Sequence, residues 1–261
     1  MNTIDISYTG LAVAALLLAL PFYAFHALGV RLLRPAVVAV ARMAVQLFLI
    51  GFYLKYLFEL NNPWINILWA ALIVVVAAFT VIRRARLRLR YLAVPLFGGL
   101  FGAALVVGLY LLVFVLRLPG PFDARYFVPV TGLLVGSMTG VCVMGLSTFY
   151  DGLAADHRLY YYLLGNGASH VEAVLPFVRR AVEKAFAPCI ANMAVMGIVS
   201  MPGTMLGLVL GGSAPGIAVK YVAVISAAAF AASAVSLLGT LYLADRRSFD
   251  VYGRMKNVRR G

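Results

Sequence analysis

The residues with the most chemical potential lie together in "GNGASHVEAVLPFVRRAVEKAFAP", positions 165 to 188. Ser169, His170, Glu172, Arg179, Arg180, Glu183 and Lys184 fall there, between two long apolar runs. Ser169-x-x-Glu172 has the spacing of a capping box: the serine caps a helix start and the glutamate reaches back to it. Behind the cap, Val171, Val174, Leu175, Val178, Ala181, Val182 and Ala185 recur at three and four, which makes one apolar face. Arg179, Arg180, Glu183 and Lys184 take the other face. Pro176 suits the first turn of a new helix. The stretch is therefore expected to hold two short amphipathic helices. A helix of this kind can lie on lipid headgroups or bind a partner.

Elsewhere, acids, bases and soft ligands are sparse. Arg42 and Gln46 stand one turn apart in "ARMAVQLFLIG". A charge inside an apolar span either serves function or snorkels to the interface. Lys55 and Glu59, four apart, are spaced for an ion pair. Asn192 could bridge helices. Met138, Cys142, Met144, Cys189, Met193, Met196, Met201 and Met205 cluster in the later runs. Soft sulfur suits Cu(I). With only two cysteines and no histidine at ligand spacing, packing is the better account, and a metal site stays unassigned.

The elements that position these groups follow from composition. The 261 residues are 64% hydrophobic and 12% charged, far from the roughly 45–50% and about 25% of soluble domains. This is an all-α integral membrane protein, one membrane domain spanning 1–261. A spanning helix needs about 20 mostly apolar residues. Seven such runs are expected: Thr9–Gly29, Pro35–Leu57, Trp64–Ile82, Leu92–Leu116, Phe127–Thr148, Phe186–Gly211 and Ala218–Leu243. Arg31, Arg34, the "RRARLRLR" run at 83–90, Arg158, Arg179, Arg180, Lys184 and the basic tail of 244–261 all follow odd-numbered spans. They account for 17 of the 22 bases. The positive-inside rule then places the N-terminus, with Asp5, outside, and the C-terminus and the 149–185 loop in the cytoplasm. It also explains the +13 net charge without nucleic acid. The first run lacks a basic leader and is expected to remain as a span.

Gly132, Gly136 and Gly140, and again Gly203, Gly207 and Gly211, repeat at four. Each set bares one helix face for close packing. Pro202, in "SMPG", is expected to kink the sixth span. No Asp or Glu lies within any span, although proton- or sodium-coupled carriers usually need one. No G-x-x-x-x-G-K-[ST] loop is present, so ATP cannot be bound by that route. Active transport would need energy from another subunit.

An intramembrane enzyme is the rival class. "GLST" (145–148) resembles the serine motif of rhomboid-like proteases, but a nucleophilic serine needs a base within reach. The histidines downstream, His157 and His170, lie in the cytoplasmic loop. No catalytic residues are assigned.

"GASHVEA", "AVEKAFAPCIANM", "GIVSMPGTMLGLVLGGSAP" and "AVKY" together resemble the FetB-type ABC permeases, the bacterial iron-export family that includes the plant aluminium-tolerance permeases. "VRLLRPAVVAVARMAVQLFLIGFYLKYLF" and "PVTGLLVGSM" are similar to its second and fifth spans. The likeness is collinear from Arg31 to Tyr221 and most specific from Gly167 to Gly211. Tyr160 to Tyr162 are a departure, standing where the family usually has an acid before the leucine-glycine step, and Gly136, Leu208 and Val222 stand where it usually has polar side chains. The resemblance implies a dimeric permease in the plasma membrane (a bacterial inner membrane) that moves a small solute or metal ion. It implies an ABC ATPase subunit as partner, carrying the ATP and Mg, with no cofactor on this chain. It implies that Gly167, Ala168, Ser169, Glu172 and Ala173 couple to that ATPase. Arg42, Gln46, Ser137, Asn192, Ser200 and Pro202 are the pathway candidates. The alternative is a stand-alone secondary transporter or a lipid-facing scaffold.

Overall fold

The computed structural model describes residues 7–250, 254–256 and 258–259; Asp5 lies outside them. The described residues form helices joined by short turns. In order these are α1 (Tyr8–Leu16), α2 (Ala19–Ala27), α3 (Leu33–Leu60), α4 (Pro63–Arg84), α5 (Leu89–Leu109), α6 (Ala124–Ala155), α7 (His157–Gly165), α8 (His170–Val195), α9 (Gly203–Leu210) and α10 (Pro215–Ser248). α5 runs on through a π-helical turn, Tyr110–Val115.

Six stretches are long and apolar enough to cross a membrane: Thr9–Ala27, Leu33–Leu60, Pro63–Arg84, Leu89–Val115, Ala124–Ala155 and Pro215–Ser248. The first is interrupted by a turn at Leu17 and Leu18. The sixth expected span, Phe186–Gly211, is not one helix. Its first part belongs to α8, its last part is α9, and Met196–Pro202 between them is unwound. Two residues explain the break. Gly197 takes a left-handed φ of +86°. Pro202 has no N–H, so the carbonyl of Ile198 loses the donor that a continuous helix would supply.

Pro176 does not start a helix. α8 already begins at His170, capped by Ser169, and passes through both Pro176 and Pro188. The reason is packing: Ala173, Val174, Phe177, Ala181, Ala185 and Phe186 are buried in one unbroken helical register. That burial outweighs the one backbone bond that each proline removes.

The buried core lies among α4, α5, α6, α8 and α10. Cys142 meets Ser236 (3.4 Å) and Tyr150 meets Ser248 (2.6 Å), so α6 and α10 run parallel. α8 returns antiparallel between them: His170 is level with Asp245, Phe186 with Phe230, and Met196 with Ser226. The chain thus travels back from the end of α6 to the start of α10 through α8, the unwound segment and α9.

A close helix crossing lies off the two glycine stripes. It is where α5 meets α10, at Gly99 and Gly239, whose backbones nearly touch. A Cβ on Gly99 would run into the Thr240 hydroxyl and come within 3.0 Å of the Ser236 carbonyl. The buried Thr240 Oγ1 has no conventional hydrogen-bond partner among the described residues and lies against this bare glycine. By contrast, Gly136, Gly140, Gly203 and Gly207 have no side chain or neighbouring backbone near the Cβ position.

Each end of the bundle is fastened. At the far end, Asn66 Nδ2 donates to the Phe122 carbonyl (2.8 Å) and the Ala124 N–H donates to Asn61 Oδ1 (2.9 Å). At the basic end, residues 258 and 259 strap the α4–α5 turn. The Arg88 N–H donates to the Val258 carbonyl (2.8 Å), Arg259 pairs with Asp151, and both Leu87 and Val258 are buried. Lys55 and Glu59 make no ion pair among the described residues, although they share a face of α3.

Gly99→Ala should lower thermal stability by about 1–3 kcal/mol, the usual cost of overpacking. Gly102→Ala, one turn away with nothing within 4 Å, should be close to neutral. Thermal unfolding of the two purified variants in detergent compares them directly; equal losses would remove the close crossing at Gly99.

Candidate functional site

The loop between α7 and α8 is built by paired caps. The N–H groups of Gly167 and Ala168 close α7 by donating to the carbonyls of Leu164 and Leu163 (3.1 Å each). Gly167 adopts φ +87°, a conformation that disfavours any side chain. Ser169 then caps α8. The Glu172 N–H donates to Ser169 Oγ (3.4 Å), and Glu172 Oε2 accepts from the Ser169 N–H (2.8 Å) and hydroxyl (2.7 Å). The expected capping box is therefore present. Its hydrogen bonds from the Ser169 side chain and then the Ser169 backbone hold the Glu172 carboxyl below the usual carboxylate range. Ala173 is fully buried and donates its N–H to the Ser169 carbonyl (2.9 Å).

His170, next to the cap, was not among the site candidates, yet it is the best-connected polar side chain of the loop. Its Nδ1 lies 2.9 Å from Tyr160 Oη on α7, and its Nε2 lies 2.9 and 3.1 Å from the Asp245 carboxylate on α10. Phe249 packs edge-on against the imidazole, 4.6 Å between centroids. A carboxylate only accepts, so Nε2 carries hydrogen. Tyr160 stays protonated: burial, then Tyr161, Asp245 and Asp250, push its hydroxyl up to about 12. A neutral ring accepts from that hydroxyl at Nδ1. Sequence reasoning missed this contact because 75 positions separate His170 from Asp245.

α8 runs from this loop, about 39 Å along its axis at 1.5 Å per residue, to the unwound segment. The Ser226 hydroxyl donates to Met196 Sδ (3.4 Å), which sets the break about three turns, or ~16 Å, below the far end of α10. That distance is about half of a hydrocarbon core of about 30 Å. The N–H groups of Ile198, Val199 and Ser200 all converge on the Val195 carbonyl (3.4, 3.0 and 3.2 Å). Ile198 and Val199 are 90% and 79% exposed on the single chain.

The pathway candidates do not form one cluster. Ser200 and Pro202 belong to the break, with Asn192 exposed on the last turn of α8. Gly152 of α6 touches Phe177 of α8. Climbing equally far along both helices from that contact brings Ser137 and Asn192 to one depth. Ser137 bonds back to the Leu134 carbonyl (2.8 Å). Arg42 and Gln46 stand apart, exposed on α3, whose one buried residue is Leu57. Below α9, a cavity of about 310 Å³ is lined by Leu111, Pro129, Leu133, Thr204, Leu208 and Tyr221, so its wall is mainly apolar. Among the described residues, no three His, Cys, Asp or Glu side chains gather as metal ligands.

The Ser169–Glu172 bonds form to the carboxylate. Their stabilisation is complete above the ordinary glutamate pKa and is lost as pH falls through the lowered folded value. A carbonyl-carbon NMR titration of Glu172 should give a midpoint below that of free glutamate. Ser169→Ala should move the midpoint back up. Coincident midpoints in the two proteins would remove the reciprocal cap.

Comparison with known proteins fits this architecture. Residues 8–249 match the uncharacterised protein family UPF0014. The chain is 30% identical to Protein ALUMINUM SENSITIVE 3 of Arabidopsis thaliana over 207 residues, 78% of this chain and 74% of that one. It is 30% identical to UPF0014 membrane protein STAR2 of Oryza sativa subsp. japonica over 78% of this chain and 70% of that one. It is 24% identical to the "Probable iron export permease protein FetB" of Escherichia coli (strain K12) over 96% of this chain and 95% of that one. No solved structure matches. With its helices of spanning length, the chain is a multi-pass, permease-like protein of the plasma membrane, and it belongs to the UPF0014 family.

Proposed function

We propose that this chain is the membrane-spanning subunit of an ABC transporter. It moves a small solute or metal ion using ATP hydrolysed by a separate subunit. The observation that carries the reading is the continuity of α8. One helix joins the capped loop at the basic end to an unwound segment at membrane depth. Unwound backbone is tolerated at that depth only where protein covers it or where it lines a polar cavity. Here the single chain leaves it exposed. A second copy of the chain facing the break would supply cover and enclose a path between the two copies.

In this reading the basic end is cytoplasmic, as the positive-inside rule favours. Gly167, Ala168, Ser169, Glu172 and Ala173 form the turn that the ATPase pushes. α8 transmits the push to Asn192, Ser200 and Pro202, and Ser137 faces the same depth from α6. Arg42 and Gln46 of α3 face the second copy, which relieves an exposed cation inside the bilayer. The energy source follows from composition: the acids on the spanning helices, Glu59, Asp151 and Asp245, all lie within four residues of a helix end, which leaves none mid-span to carry coupling protons or sodium, and no phosphate loop is present. The name of the Escherichia coli relative favours a metal ion as substrate.

Affinity purification from native membranes should bring down an ATPase that carries a phosphate loop. The permease should stimulate its ATP turnover after reconstitution. Glu172→Lys, which places a cation on the exposed side of the capped turn, should leave the complex assembled and abolish that stimulation. If no ATPase accompanies the wild-type chain, the ABC reading is overturned. Unchanged turnover in the Glu172→Lys complex would remove Glu172 from the coupling turn.

A further inference from the structure

We infer that His170 is a positioning residue that ties the proposed coupling turn to α10, so that movement of the turn is delivered to two spanning helices. The inference rests on the permease reading and extends it beyond the turn itself. The geometry is specific. His170 is the first residue of α8 and directly follows the cap Ser169. Both ring nitrogens are engaged, one by Tyr160 of α7 at 2.9 Å and the other by Asp245 of α10 at 2.9 Å. Phe249, just beyond α10, covers the ring, and Tyr160 stacks at a tilt against Phe249 at 5.6 Å. His170 and Asp245 are only part-buried, with side chains 33% and 27% exposed, so neither is an immobile core group.

A helix cap would not need this arrangement, since Ser169 and Glu172 already satisfy the start of α8. What the histidine adds is a tether between elements. A rigid body transmits displacement only to what it is fastened to. Without the tether, the near half of α8 could swing while α10 stayed in place. With it, a push on the turn moves the near end of α10 as well. α10 in turn meets α5 at the Gly99–Thr240 crossing and lies beside α6 through Cys142–Ser236 and Tyr150–Ser248. One imidazole therefore connects the turn to the helices that line the bundle.

Two readouts test the tether. In the reconstituted complex, His170→Ala and Asp245→Ala should each retain co-purification of the ATPase while permease-stimulated ATP turnover falls about tenfold, the scale of a charge-assisted hydrogen bond. The double variant should be no worse than either single one, as expected for partners in one contact. Asp245→Asn, which keeps an acceptor oxygen, should recover most of the activity. Spin labels at the exposed positions Asn166 and Leu238 should give one narrow distance distribution in the wild-type permease and a broad one in His170→Ala, with no ATPase present. Losses that add in the double variant, or a distribution unchanged by His170→Ala, overturn the tether. If the wild-type chain binds no ATPase, the permease reading fails, and the spin-label distances alone decide the tether. If His170→Ala does not fold, Asp245→Ala, which removes the partner on α10 and leaves the turn intact, must broaden the same distribution; an unchanged width rejects the inference.

Discussion

In hydrocarbon, a peptide group must find its hydrogen-bond partner within protein, because no water is there to supply one. The architecture of this chain follows from that constraint and from the one place where the chain departs from it. Six stretches meet it as unbroken or nearly unbroken helices. The return between α6 and α10 does not. There Gly197 turns left-handed, Pro202 withholds a donor, and three amides crowd onto the Val195 carbonyl. A membrane protein retains such a segment where other polar groups or another chain will meet it. The break is therefore the feature from which a path through the bilayer is most directly argued.

α8 gives the break its mechanical context. A proline-containing helix stays continuous only if its packing holds it, and the buried face from Ala173 to Phe186 does so against α6 and α10. Sequence reasoning divided this helix in three, at Pro176 and again at the edge of the apolar run near Phe186. Charge marks where a helix leaves the membrane, not where it ends. Arg179, Arg180, Glu183 and Lys184 lie on the same helix as the apolar residues from Phe186 onward.

What was legible in the sequence was local or statistical. The Ser169–Glu172 cap depends on groups three residues apart, and the spans depend on apolar length, so both could be read directly. The weakness at Pro202 could also be read, because a missing N–H is a property of the residue itself. The helix pairings could not. A spacing of four places Gly132, Gly136 and Gly140 on one face but does not say what that face meets. The close crossing formed instead between Gly99 and Gly239, which share no stripe. The His170–Asp245 contact and the Asn61 and Asn66 bonds at the far end likewise join residues distant in sequence. Arg42 and Gln46 remain on a helix that the rest of the chain barely covers.

The strap at the basic end bears on how the protein is made. Leu87 and Arg88 are synthesised directly after the third span, yet Leu87 is buried, and the Arg88 amide satisfied, by residues 258 and 259. Until every spanning helix has been inserted and the segment beyond α10 has left the ribosome, the α4–α5 turn stays open. The same applies to Asp151, whose arginine partner is Arg259. Closure of this end is thus a late assembly step, a built-in order of events by which the basic surface takes its final form only after the membrane bundle is complete.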